Sequence, residues 1–108
     1  NKKVTKTLMK NSLKLVDPLW ELPLFQSYER HLKNENGTLS STGFSGTGGA
    51  ITAALFLQNF INTNINWIHF DLMGWNLHGR PGFPKGGEAM GFRAILQTIN
   101  DFVKNDAL

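Results

Sequence analysis

The sequence predicts an α/β fold in which the 108 residues form one piece of a larger domain, a mostly interior β-sheet flanked by helices. Three features carry that expectation. Residues 67–73, WIHFDLM, put Ile68, Phe70 and Leu72 on one face and Trp67, His69, Asp71 and Met73 on the other, which reads as a strand covered on both sides. Residues 48–61 read as a helix with almost no polar face, and such a helix needs neighbours on several sides. A single strand leaves its N–H and C=O groups unpaired, so further strands and helices are expected outside this chain.

Composition narrows the class. Apolar residues make up 41% and charged residues 18%, the balance of a globular chain rather than a disordered one. With no cysteine, disulfides, thiolate metal sites and cysteine nucleophiles are excluded, and a reducing cytosol accommodates such a chain. No apolar run reaches the roughly 18 residues of a membrane span. No apolar stretch follows the lysine-rich start to make a signal peptide. The chain opens on Asn1 rather than methionine, which we read as processing or as a piece of something longer. Net charge is +3, but Lys2, Lys3, Lys6, Lys10 and Lys14 all precede the first acid, Asp17. The basic character belongs to that one segment, and nucleic acid is not an expected partner.

The elements follow in order. Residues 3–16 read as an amphipathic helix, with Val4, Leu8, Met9, Leu13 and Val16 on one side and Lys3, Lys6, Lys10 and Lys14 on the other. A solvated lysine face outweighs a nucleic-acid or membrane surface, because no aromatic stands among those lysines to stack on bases and the apolar side is small. Asp17-Pro18 ends the helix. The apolar, proline-marked run 19–25 is expected to lie extended over the core. Residues 26–33 suggest a short helix with Tyr28 and Leu32 one turn apart. Residues 34–49 are small and polar, a loop with a short strand near 38–41. Their glycines fit neither GxGxxG nor GK[ST], so a turn is preferred to a nucleotide loop. Thr47 is the expected N-cap of the apolar helix 48–61. His69 and Asp71 share a strand face, where a buried hydrogen-bonded pair is favoured over a metal or catalytic pair. His31 and His78 show no ligand spacing to them. Residues 74–87 form a glycine- and proline-rich loop directly beyond the strand end, where ligand sites collect in α/β sheets. A helix from about residue 88 to 104 closes the chain, with Phe92, Ile95, Leu96, Ile99, Phe102 and Val103 in helical period.

Four motifs go further: DPLWELPLFQSYERHLK, GGAITAALFLQNF, WIHFDLMGWN and RPGFPKGGEAMGFRAIL. In this order and spacing they resemble the C-terminal portion of leucyl aminopeptidases, the M17 family of metallo-exopeptidases. The resemblance runs from about Asp17 to the last helix. The branch it is closest to carries DLYAWN and GGEA segments where more members have DIAGTAW and KGATG. Residues 36–47 depart from the family's SDIADLNN pattern, and nothing is carried over there.

The resemblance implies a cytoplasmic hydrolase that releases N-terminal amino acids from peptides, with a preference for apolar first residues such as leucine. It implies two divalent metals of the zinc or manganese class that activate a bridging water, and a hexamer built as a dimer of trimers. The family's metal ligands and catalytic lysine and arginine sit in NTDAEGR and GK–D–GG motifs, which this chain lacks. No residue here is assigned a catalytic or metal role. The segment after the family's HxD strand lines the pocket for the first side chain of the substrate, which lands on Met73, Gly74, Trp75 and Asn76. A rival reading is a stand-alone interaction module whose basic N-terminal helix docks on an acidic partner.

Overall fold

The computed structural model describes residues 2–43 and 46–104. The chain divides into two compact units, Asn1–Glu21 with Phe70–Leu108, and Leu22–His69.

In the first unit, helix α1 spans Lys2–Lys14 and helix α3 spans Phe92–Lys104. Both match the helices that periodicity predicts, and they pack on each other. The contact mixes a small apolar core with a polar one. Leu8, Ala94 and Phe102 are buried, and Lys3 lies 5.4 Å over the Phe102 ring. One of the lysines expected on a purely solvated face therefore shares in the helix contact, where a cation over an aromatic face is attracted by the ring quadrupole. Between the helices, buried Asn11 donates through Nδ2 to Thr98 Oγ1 at 3.0 Å and to Asp101 Oδ2 at 2.9 Å. Thr98 in turn donates to the Ala94 carbonyl at 2.7 Å. The hydrogen bond from Asn11, and after it that from Gln97, holds the Asp101 carboxyl below its ordinary range, because both stabilise the ionised form.

The start of α3 is capped from the far end of the sequence. Helix first turns leave N–H groups without intrahelical acceptors. Here the buried Asp17 accepts the Gly91 N–H at 2.9 Å and the Ala94 N–H at 3.1 Å. These are the two amides that a local capping box would satisfy, and Arg93 adds an ion pair to Asp17 at 3.6 Å. Gly91 has φ +74°, where a side chain would be strained, and a Cβ there would press on Leu19 Cδ2 at 3.0 Å. The helix accordingly begins four residues later than the expected start near residue 88.

In the second unit, residues Gln26–Leu32 form a 3₁₀ helix and Gly49–Gln58 form helix α2. They pack together around Leu32, Ala54 and Leu55, all buried. Tyr28 stands edge-on to Phe25 and to His31, with centroids at 5.0 and 5.5 Å. The expected cap is corrected: Gly48, not Thr47, precedes α2, in the left-handed region at φ +72° and with no side-chain cap bond. A Cβ on Gly48 would lie 3.0 Å from the Tyr28 ring, so the bare backbone makes room for the tyrosine. The loop before it holds a bridge between Lys33 and Leu39 in place of a strand at 38–41, and its Phe44 and Ser45 lie outside the described residues.

Three further expectations change. Residues 67–73 form no ladder, because a strand needs a neighbour to take its backbone groups and this stretch has none among the described residues. The run 19–25 is neither helix nor strand, and most of it is exposed, with Trp20 at 87%; Leu19, half-buried beside Gly91, is the exception. Helix α2 buries Ala54 and Leu55 but leaves Leu57 and its neighbour Phe60 exposed, so only one side of this apolar element finds cover.

Candidate functional site

The residues singled out by the sequence lie at the base of a small hairpin in the first unit. Strand β1, Trp75–Asn76, pairs antiparallel with strand β2, Gly86–Gly87, in the register Trp75 with Gly87 and Asn76 with Gly86. The stretch expected as irregular loop thus contains the only sheet among the described residues. Its tip is explained by its sequence. Proline fixes φ near −65° and Gly82 has φ +78°, the requirements of the two central positions of a type II turn. Arg80-Pro81-Gly82-Phe83 forms that turn, with Phe83 N–H donating to the Arg80 carbonyl at 2.8 Å and Arg80 N–H returning to the Phe83 carbonyl at 2.9 Å.

Met73 and Trp75 are 62% and 50% exposed. Gly74 between them has φ +63°, where a side chain would be strained. Opposite Trp75 stands Gly87, so no cross-strand side chain packs on the indole. Asn76 differs from its neighbours. It is 7% exposed, and its Nδ2 donates to the Phe83 and Pro84 carbonyls at 2.9 and 3.1 Å. Of the four predicted residues, three are accessible and Asn76 is engaged in holding the hairpin.

Two residues to which the sequence assigned no role complete this framework. Arg80 lies 4.1 Å over the Phe83 ring, and its Nη2 donates to Glu88 Oε1 at 3.0 Å. The Glu88 backbone N–H donates to the Gly74 carbonyl at 3.0 Å, and Glu88 Oε2 is buried with no hydrogen-bond partner. Phe83, Pro84, Glu88 and Arg93 border a shallow depression of about 220 Å³. The Pro-Gly pair signals the turn in sequence. Counting outward from it sets position 80 opposite 83, whereas the reach of Arg80 to Glu88 is a side-chain contact that no such count gives.

The remaining candidates do not assemble into a reacting centre. His69 stacks on Trp67 with centroids 6.2 Å apart, and its Nε2 is buried without a hydrogen-bond partner, so the hydrogen-bonded pairing expected there is not made at that atom. Asp71 is exposed. Among the described residues no three His, Asp or Glu side chains gather as a metal-ligand group. The donor set among the described residues does not fit the two metal ions implied by the resemblance. No helix among the described residues is long and apolar enough to cross a membrane.

Comparison with known proteins places the chain in a family. A crystal structure of cytosol aminopeptidase from Coxiella burnetii superposes with a TM-score of 0.87 and 46% identity, covering 94% of this chain and 22% of that one. A probable cytosol aminopeptidase from Prochlorococcus marinus subsp. pastoris is 38% identical over 87 residues, 79% of this chain and 18% of that protein. One from Syntrophotalea carbinolica is 37% identical over 83 residues, 75% of this chain and 16% of that protein. The chain therefore spans about a fifth of the length of the relatives it matches, and the α/β expectation is met by the helices, the small sheet and this superposition. The family described as "Cytosol aminopeptidase family, catalytic domain" matches residues 1–96, and the chain belongs to that family.

Proposed function

We propose that this chain is the C-terminal segment of the catalytic domain of an aminopeptidase that cleaves the N-terminal peptide bond of peptides and prefers apolar first residues such as leucine. The observation that carries the reading is the likeness to the Coxiella burnetii cytosol aminopeptidase over 94% of the chain at 46% identity. In this reading the rest of the catalytic domain, outside this sequence, holds two divalent ions of the zinc or manganese class, which supply an activated water when bound. The parent enzyme is a cytosolic homo-hexamer, and the 108-residue chain alone is inactive.

The part played by this chain is recognition. Met73 and Trp75 offer accessible apolar surface on either side of Gly74, suited to contact the first side chain of a peptide. Asn76 supports them from within the hairpin. The test uses the full-length protein and leucyl and alanyl amides. Met73→Ala should change the leucine-to-alanine preference by about tenfold, the effect of a methylene-sized misfit in an apolar pocket, while bound metal measured by elemental analysis stays constant. Equal loss on both amides in Met73→Ala and Trp75→Ala would make these residues scaffold and remove them from the pocket. No leucyl amide turnover by the full-length protein with zinc or manganese would overturn the enzymatic reading itself.

A further inference from the structure

The hairpin that carries Trp75 cannot be held by its ladder. Each strand has two residues, and a two-stranded ribbon is marginal in water even when longer. Strand β2 is made of glycines, which lose the most backbone freedom on ordering and offer no side chain across the strands. Side chains close the hairpin instead: Asn76 ties β1 to the Phe83 and Pro84 carbonyls, and a second set of contacts starts at its far end. Arg80 packs over Phe83 at 4.1 Å and binds Glu88 Oε1 at 3.0 Å. Glu88 is tied a second time, through its backbone N–H, to the Gly74 carbonyl at 3.0 Å. Gly74 sits between Met73 and Trp75 at φ +63°. A continuous set of contacts thus runs from the turn at 80–83, through Glu88, to the residue that sets the angle between the two exposed apolar side chains.

We propose that Arg80 and Glu88 are positioning residues that fix the Met73–Gly74–Trp75 wall, so that preference for the substrate's first side chain is set partly from the turn. This rests on the reading that Met73 and Trp75 border the pocket for that side chain. Arg80 and Glu88 need touch no substrate atom. Their effect should be confined to substrates large enough to reach the wall. A leucyl side chain would feel a displaced Trp75, whereas an alanyl side chain would not.

The experiment compares Arg80→Ala, Arg80→Lys and Glu88→Gln with Met73→Ala in the full-length enzyme. It measures kcat and KM on leucyl and alanyl amides, and hydrogen exchange at the Phe83 and Glu88 amides. The expected result for Arg80→Ala and Glu88→Gln is a KM for the leucyl amide raised about tenfold. Exchange at Glu88 should accelerate, and kcat on both amides and the alanyl KM should change less than about threefold. Arg80→Lys, which keeps the charge opposite Glu88, should recover part of the leucyl KM. If Met73→Ala shifts the preference but the Arg80 and Glu88 variants leave it within about threefold, the positioning role is wrong and the pocket reading stands. If the Arg80 and Glu88 variants lower both substrates equally, they act on folding and the positioning role is also wrong. If none of the variants, Met73→Ala included, alters the preference, the pocket reading fails and this inference goes with it.

Discussion

Truncating Asp17 to alanine removes the acceptor of two buried amides at once. Asp17 is 3% exposed, and its Oδ1 and Oδ2 accept the N–H groups of Gly91 and Ala94 at 2.9 and 3.1 Å. A buried donor left without a partner costs about 1–3 kcal/mol, and loss of an N-cap alone costs about 0.5–2 kcal/mol. Arg93 is half exposed, so its ion pair adds at most about 1 kcal/mol. Some water will reach the vacated position, which places the expected cost near 3 kcal/mol, from the middle of these ranges. Asp17→Asn keeps one acceptor oxygen but turns an NH₂ toward the second amide, and its cost should be about 2 kcal/mol. The direct assay is amide hydrogen exchange, which reports the free energy of local opening. At about 1.4 kcal/mol per factor of ten, exchange at Gly91 and Ala94 should speed up roughly 100-fold in Asp17→Ala. Acceleration below about threefold at both amides would mean that Asp17 does not cap α3, and the account of this unit would be wrong.

Two further outcomes follow from the packing. Leu55 is fully buried between α2 and the 3₁₀ helix, so Leu55→Ala should lower stability by about 2–5 kcal/mol in denaturant unfolding, and a change under about 0.5 kcal/mol would place that helix on the surface. Asn11→Ala removes the leading cause of the lowered Asp101 pKa, so the Asp101 carboxyl should titrate at higher pH by NMR. A carboxyl depressed on folding contributes stability above its unfolded pKa and loses it as pH falls through its folded pKa. In Asn11→Ala this contribution should therefore be smaller at neutral pH and be lost at a higher pH during acidification. An unmoved titration would show that the bond is not formed in solution.

Helices were legible because their signals are local. The lysine and leucine stripes of residues 2–14 and the apolar period of residues 92–104 repeat every three or four positions, and each pattern is complete within its own segment. Two of the corrections have non-local causes. The start of α3 depends on a carboxylate 74 positions earlier, and no window placed around residue 91 contains it. The run 67–73 has the alternation of a strand, but pairing depends on a partner, and alternation cannot supply one. At the candidate site, Met73, Gly74 and Trp75 were named through family likeness, whereas the Arg80-Pro81-Gly82-Phe83 turn is written in the chain itself as a Pro-Gly pair. The roles of Asn76 and Glu88 follow from that turn's geometry, which no composition or period encodes.

The Asn11 amide between α1 and α3 has a consequence for how the two helices find each other. Their apolar contact is modest, with Leu8, Ala94 and Phe102 buried, and such surfaces tolerate sliding. One helical turn is about 5.4 Å. A slip of that size toward the start of α3 would carry Asn11 from Thr98 and Asp101 to Ala94 and Gln97. The native bonds add only about 1 kcal/mol each, while a stranded buried amide costs about 1–3 kcal/mol. The asparagine therefore acts less as glue than as a key: it favours the alignment in which its two amide hydrogens meet Thr98 and the Asp101 carboxylate, and a slip of one turn gives up that charged acceptor.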